Sequence, residues 1–179
     1  LKIKGVPIIE KIISNFVSQG FKNFTISINY LGHKIKKYLG NGERLKVNIN
    51  YINEKKYLGT AGSLSLLNSR KTIFPLIVAN SDLLSEIDYN NLIDYHNKKN
   101  ADITICGKNK FFEMPYGEIL ENYEKVNAII EKPKIYHLVN AGVYVLDKKI
   151  LKNIDKNKKL MMNDYISQQL KKNKKVYCY

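Results

Sequence analysis

Hydrophobic and polar positions in the first third of the chain follow two different periods. Between Pro7 and Gly20 apolar residues recur every three to four positions, which predicts a helix that opens at a proline and stops at a glycine. Residues 21–30 and 45–52 instead alternate apolar with polar, which predicts two strands. A short basic helix, His33 to Leu39, lies between them. The pattern therefore predicts helix, strand, helix, strand.

The same alternation of elements continues through the middle of the chain. A helix is predicted at Ser63 to Leu67, a fully covered apolar strand at residues 74–80, a helix at 88–100 and a strand at 101–107. This order predicts an α/β fold with a mostly parallel sheet and helices on both faces.

Beyond Phe111 the pattern changes to short strands without helices between them, followed by a helix at 161–172. This predicts a small mixed β subregion attached to the sheet.

Length and composition set the broad class. With 179 residues, of which 44% are hydrophobic, the chain is long enough for one globular domain, so residues 1–179 are predicted to form a single domain. Because the first residue is Leu1 and Tyr179 ends a strand-like segment, we expect truncation at both ends. No apolar run reaches the length of a membrane span or signal peptide, so we expect a cytoplasmic protein without a membrane partner.

Charge raises the question of a polyanionic partner. Lys and Arg number 30 against 16 Asp and Glu, a net charge of +14. The lysines are spread over predicted helix faces. Arg44 and Arg70 are the only arginines, so the chain has few side chains that form bidentate hydrogen bonds to nucleic-acid bases. The composition favours a solvated lysine-rich surface, and no nucleic-acid partner is predicted.

Candidate chemistry lies after the predicted strands, because ligands of open α/β sheets bind at the carboxyl ends of strands. The segment "LGTAG" supplies Gly59 and Gly62, whose backbone amides have room to approach an anion. The loop matches neither the P-loop nor the dinucleotide fingerprint, so a plain strand-to-helix turn is the alternative.

Carboxylates follow two other strands. Asp82 comes after the apolar strand at 74–80 and is suited either to Mg²⁺ or to capping the next segment. Glu131 and Lys132 end another predicted strand, just before Pro133. There they are suited to bind sugar hydroxyls and a phosphate, and a solvated strand end is the alternative. The histidines suggest no metal site, and His96 is predicted to be a buried core residue.

Taken in order, these segments resemble the sugar-phosphate nucleotidyltransferases. The resemblance rests on "GFKNFTISINYLGHKIKKYLGNG", "YLGTAGSL", "LIVANSDLL", "MPYGEI", "IIEKP" and "VNAGVYVL", and so covers nearly the whole chain. "LGTAGSL" and "VNAGVYVL" look most like the bacterial guanylyltransferase-like branch, of the mannose-1-phosphate or related hexose-1-phosphate type. The resemblance implies a Rossmann-like three-layer sandwich.

The resemblance also implies roles for individual residues. Nucleotide contacts fall on Glu54, Gly59, Thr60 and Ala61, and Asp82 holds the Mg²⁺ cofactor. The residues implied to surround the sugar phosphate are Tyr116, Gly117, Glu131, Lys132, Asn140 and Gly142. Asp82 and Lys132 are the implied catalytic residues.

The implied activity is transfer of a nucleoside monophosphate from a nucleoside triphosphate to a sugar 1-phosphate, for cell-surface glycan synthesis. GTP is favoured because the Glu54 carboxylate is able to accept from guanine's ring N–H and amino group. The family's glycine-rich loop and second aspartate would fall outside residues 1–179, so the chain alone is expected to be a poor catalyst. Asn80-Ser81-Asp82 carries serine where glycine is usual in the family.

Two alternatives remain open. One is a metal-dependent glycosyltransferase, which usually presents a second aspartate where this chain has Asn80. The other is a non-catalytic domain that binds a nucleotide-sugar or RNA. A homo-oligomer is also left open.

Overall fold

The computed structural model describes residues 2–68, 70–82, 84–156 and 158–179. In chain order, the helices and strands are β1 Lys2–Ile3, β2 Val6–Pro7, α1 Ile8–Ser18, β3 Asn23–Ile28, α2 Gly32–Leu39, β4 Asn48–Asn53, α3 Gly59–Gly62, β5 Leu76–Ala79, α4 Tyr89–Lys98, β6 Ile103–Glu113, β7 Glu118–Asn122, β8 Lys125–Ile130, β9 Lys134–Leu146, α5 Met162–Lys171 and β10 Val176–Cys178. The predicted α/β composition is confirmed.

The residues divide into two compact units. The first contains Leu1–Ile105 and Gly142–Tyr179, and the second contains Cys106–Ala141. The single-domain prediction for residues 1–179 stays a prediction, although the second unit corresponds to the predicted β subregion.

Pairing in the first unit is mixed. β3 and β4 are parallel, with Asn23 opposite Asn48 and Ile28 opposite Asn53. A second sheet has the order β10-β6-β9-β5, in which β10 is parallel to β6 and β5 is antiparallel to β9. The carboxyl ends of β3 and β4 therefore meet at one edge of their sheet, as the sequence pattern requires.

Among the described residues, apolar clusters lie on both sheets of the first unit. Around β3 and β4 the cluster consists of Ile13, Leu39, Val47 and Ile49, with side chains of α1 packed against it. Around β6 and β9 the cluster includes Ile103, Tyr144, Leu146, Met162 and Ile166, which brings α5 onto that sheet. The helical stripe of α1 and the alternation of β4 thus predict the buried residues correctly.

A buried polar group links α4 to the strands. His96 is 2% exposed, and its Nδ1 lies 2.8 Å from the hydroxyl of Thr104 on β6. Nearby, Asp102 forms a 2.7 Å ion pair with Lys149 and accepts a hydrogen bond from the amide of Lys175. The prediction that His96 is a core histidine is confirmed.

Some elements differ from the sequence prediction in length and others in kind, and β5, which was predicted to be fully covered, is only half-buried. β6 and β9 are longer than predicted. The residues of the predicted helix at Ser63 to Leu67 form a 3₁₀ turn, Ser63–Leu66, and the short helix α3, Gly59–Gly62, precedes it. β9 begins directly after Pro133, whose nitrogen has no hydrogen to donate to a strand ladder.

Candidate active site

Glu54 lies one residue after β4 and joins three segments. Its Oε1 accepts a hydrogen bond from the Ser27 hydroxyl at 2.5 Å, and its Oε2 accepts from the Leu58 amide at 2.9 Å. The side chain of Asn29 donates to the backbone carbonyl of Glu54. The carboxylate predicted to face the nucleotide is thus held in place from β3 and from the glycine loop.

The glycine loop, residues 58–62, contains the short helix α3 and packs against the segment before α5. The amides of Ala61 and Gly62 donate to the Leu160 carbonyl at 3.0 and 3.1 Å, and the Leu160 amide donates to Leu58. The Thr60 hydroxyl accepts from the amide of Met162 at 2.8 Å. Two of the amides that an anion would use therefore already have a backbone partner, and Thr60 caps α5.

Gly59 has a packing reason for its lack of a side chain. Its φ is +79°, and a Cβ there would lie 2.6 Å from the carbonyl oxygen of Leu160. The space freed by this glycine is thus occupied by the chain itself. Its predicted role of making room for a base and ribose stays a prediction.

Asp82 lies just beyond the end of β5 and is exposed. The amide of Asn80 donates to the carbonyl of Gly142 at 3.0 Å, so the predicted sugar-phosphate residue Gly142 lies beside the segment that carries Asp82. Among the described residues, the Asp82 carboxylate has no hydrogen-bond or ion-pair partner.

The single carboxylate of Asp82 fits a metal ion whose other ligands come from a bound substrate. In the described parts of the chain, no group of three or more His, Cys, Asp or Glu side chains could hold a metal ion by itself. Magnesium is often held by one or two carboxylates together with substrate phosphates, so a single open carboxylate is compatible with it.

The second unit gathers four of the predicted sugar-phosphate residues at one end of a hairpin. β7 and β8 are antiparallel, with Glu118 opposite Ile130, so Gly117 and Glu131 flank the first pair. A Cβ on Gly117 would lie 3.3 Å from Oε2 of Glu131. Tyr116 is 75% exposed, and Lys132 has a left-handed φ of +47°.

Lys4 and Lys46 share this left-handed backbone, so the conformation by itself does not mark Lys132 as a functional residue. Asn140 lies on β9, two residues before Gly142. The structure thus places the predicted residues in three groups: Glu54 with the glycine loop, Asp82 with Gly142, and the end of the hairpin.

Sequence reasoning missed the residues that support this site. Ser27 and Asn29 were detectable, because both are polar and lie at the carboxyl end of a predicted strand. Leu160 was not, because its contribution is a backbone carbonyl about a hundred positions away along the chain.

A model of the family described as "Nucleotidyl transferase" matches residues 1–179 of this chain. The chain belongs to the nucleotidyl transferase family. No helix in the described ranges is long and apolar enough to cross a membrane. The predicted cytoplasmic location stays a prediction.

Curated relatives of this nucleotidyl transferase include mannose-1-phosphate guanylyltransferases. That of Yarrowia lipolytica is 30% identical over an alignment of 159 positions, which covers 83% of this chain and 43% of the relative. That of Mycobacterium tuberculosis is 24% identical over an alignment of 163 positions, which covers 89% of this chain and 45% of the relative. The chain thus spans less than half the length of these relatives. Because one of them is from a yeast, the match does not single out the predicted bacterial branch.

Solved structures agree on the fold. The crystal structure of HddC from Yersinia pseudotuberculosis has a TM-score of 0.76 and 23% identity, covering 100% of this chain and 78% of that one. The same protein complexed with GMP-PN has a TM-score of 0.75. The predicted Rossmann-like α/β fold is confirmed.

Proposed function

We propose that this nucleotidyl transferase transfers GMP from GTP to a hexose 1-phosphate, of the mannose 1-phosphate type, and releases pyrophosphate. The observation that carries the proposal is its similarity, over more than four fifths of the chain, to proteins named mannose-1-phosphate guanylyltransferase. The neighbour that was crystallised with GMP-PN supports a guanine nucleotide.

In the proposed reaction, an oxygen of the sugar 1-phosphate attacks the α-phosphorus of GTP. The new P–O bond forms as the bond from the α-phosphorus to the oxygen bridging to the β-phosphate breaks, and that oxygen leaves with pyrophosphate. No general base is required, because the attacking phosphate oxygen is already ionised. The protein contributes positioning and neutralisation of charge.

Glu54 is the proposed contact for the guanine base. Its carboxylate is oriented by Ser27 and Leu58, yet each of its oxygens has a second acceptor position. Those positions suit the ring N–H and amino group of guanine. Thr60 and Ala61 are proposed to border the nucleotide from the glycine loop, with Gly59 setting the path of that loop.

Asp82 is the proposed magnesium ligand, since its carboxylate is exposed and unpaired among the described residues. The bound cation would neutralise phosphate charge. The Lys132 ammonium is proposed to meet the acceptor phosphate. Tyr116, Gly117, Glu131, Asn140 and Gly142 are the proposed surroundings of the sugar phosphate.

The test is a screen of the full-length protein with four nucleoside triphosphates against a panel of sugar 1-phosphates, read as pyrophosphate release. We expect pyrophosphate with GTP and a hexose 1-phosphate, and a nucleotide-sugar in equal amount. Glycosyl transfer from a nucleotide-sugar without pyrophosphate would identify a glycosyltransferase instead. Steeply salt-dependent RNA binding with no turnover would identify a binding domain.

A further inference from the structure

Hydrogen bonds from the end of β3 and from the glycine loop hold both the backbone and the side chain of Glu54. The Ser27 hydroxyl and the Leu58 amide donate to the two carboxylate oxygens at 2.5 and 2.9 Å. The backbone amide of Glu54 donates to the Ile28 carbonyl at 2.9 Å, and the Asn29 side chain donates to its backbone carbonyl at 2.8 Å. Glu54 is therefore fixed although it lies beyond the end of β4.

The two side-chain contacts act on a torsion angle that is otherwise soft. The last torsion angle of a glutamate has no sharp minimum, so an unpaired carboxylate rotates about it. A donor on each oxygen sets the plane of the Glu54 carboxylate from two directions. Ser27 is the donor in its pair, because a carboxylate only accepts hydrogen bonds. The plane of the carboxylate is thus determined by the protein alone.

The same contacts leave acceptor positions open on Glu54. A carboxylate has about two acceptor positions on each oxygen. Among the described residues, each oxygen of Glu54 has one hydrogen-bond partner, Ser27 on Oε1 and Leu58 on Oε2. One position therefore remains on each oxygen. A planar ligand with two adjacent N–H groups is able to donate to both oxygens at once, as in other bidentate pairs of a carboxylate.

Guanine differs from related purines in this pair of donors. Its ring N–H and its 2-amino group are adjacent on one edge of the base. Hypoxanthine keeps the ring N–H but lacks the amino group, and adenine has an acceptor in place of the ring N–H. A carboxylate fixed in the plane of the base therefore distinguishes guanine from hypoxanthine by one charge-assisted hydrogen bond. A carboxylate that rotates loses part of this distinction, because the second bond requires the correct plane.

We propose that Ser27 is a positioning residue for base specificity, whose hydroxyl holds the Glu54 carboxylate in the plane that accepts both guanine donors. Ser27 acts through Glu54 and takes no part in the chemical step. The inference rests on the proposed use of GTP, and it names the contact by which that site distinguishes guanine from hypoxanthine.

The test compares GTP with inosine triphosphate (ITP), whose base is hypoxanthine, as substrates of the full-length protein. Pyrophosphate release with a hexose 1-phosphate gives kcat/KM for each nucleotide. The natural protein should favour GTP over ITP by about tenfold or more, which corresponds to one hydrogen bond to a charged group. Ser27→Ala should reduce this ratio about threefold or more through a higher KM for GTP, because one of the two contacts that set the carboxylate plane is lost. Ser27→Thr keeps the hydroxyl and should keep the ratio.

Asn23→Ala is the matched control. The Asn48 side chain donates to the Asn23 side chain at 3.0 Å, so this change also removes a side-chain hydrogen bond between β3 and β4, at the opposite end of the two strands. It should leave the ratio of GTP to ITP use unchanged. Because both nucleotides are assayed in the same sample, the fraction of inactive protein cancels in the ratio, and partial unfolding of a variant cannot imitate the expected loss.

If Ser27→Ala is too unstable to assay, Ser27→Cys takes its place with the same expected loss, because a thiol is a weak donor of similar size. The proposal is overturned if this variant keeps the natural ratio, if Ser27→Thr loses it, or if Asn23→Ala loses it equally. Equal use of GTP and ITP by the natural protein also overturns the role of Ser27 but leaves the proposed reaction standing. Absence of pyrophosphate release with GTP and every sugar 1-phosphate refutes the proposed reaction, and the role of Ser27 with it.

Discussion

The carbonyl oxygen of Leu160 lies where a side chain on Gly59 would begin. A Cβ on Gly59 would be only 2.6 Å from that oxygen. The same oxygen accepts hydrogen bonds from the amides of Ala61 and Gly62. The glycine loop is therefore built around a backbone group of a distant segment. Its geometry therefore depends on the position of that segment.

Gly59→Ala should destabilise the protein by about 2–4 kcal/mol. The substitution forces a left-handed alanine, at about 1–2 kcal/mol, and also displaces a backbone carbonyl that cannot rotate away. Gly20→Ala is the matched control, because Gly20 has a φ of +93° but open space around its Cβ position. Denaturant unfolding should show a clearly larger loss at Gly59, and equal losses would contradict the packing role.

Asp82→Asn should lower pyrophosphate release by about a hundredfold or more while the thermal midpoint is retained. The exposed carboxylate contributes little to stability, but an amide is a poor ligand for a hard divalent cation. Asp94→Asn on α4 removes an exposed carboxylate of the same kind and should leave the rate unchanged. Full turnover by Asp82→Asn at saturating substrates would remove Asp82 from the site.

Lys132→Ala should raise the KM for the sugar 1-phosphate about tenfold or more and leave the KM for GTP nearly unchanged. A charge-assisted hydrogen bond to phosphate is worth roughly 1.5–3 kcal/mol. Lys125→Ala tests the loss of one exposed lysine from the same hairpin. If both variants changed the two KM values alike, Lys132 would have no specific place at the acceptor phosphate.

The periodic parts of the fold were predictable from sequence. The stripe of α1 and the alternation of β3 and β4 predict their own buried faces, because one side of each element must meet the core. The partners of the strands were not predictable in this way. β5 reads as one more parallel strand, yet it pairs antiparallel with β9, since its apolar run fits either direction.

Candidate site residues were predictable where a charged side chain directly follows a predicted strand. Glu54 and Asp82 are of this kind, as are Glu131 and Lys132. The contacts that orient them were not predictable, because the Leu160 carbonyl belongs to the backbone and has no signature in a single sequence. The left-handed backbone of Lys132 escapes detection for the same reason, since lysine does not mark such a position as glycine does.

His96 should make the protein less stable as the pH falls from about 7 towards 5. Burial lowers the pKa of His96 below its usual value. The Asp147 and Asp102 carboxylates oppose this shift, and the Lys149 ammonium adds to it. The imidazole therefore takes up a proton at lower pH in the folded state than in the unfolded chain, where its ordinary pKa is about 6.5. The free energy of unfolding is therefore highest above that value and decreases below it.

The ion-paired carboxylate of Asp102 affects the stability of the protein at lower pH than His96 does. Burial alone would raise the pKa of Asp102, but the Lys149 ammonium and the Lys175 amide outweigh burial and lower it, so its contribution is lost only under more acidic conditions. Urea unfolding of the natural protein and of His96→Gln at pH 7.5 and 5 separates the two groups. His96→Gln should be less stable at pH 7.5 but lose less on acidification, whereas exposed His33→Gln should behave like the natural protein. An unchanged pH dependence in His96→Gln would show that other groups cause the acid sensitivity.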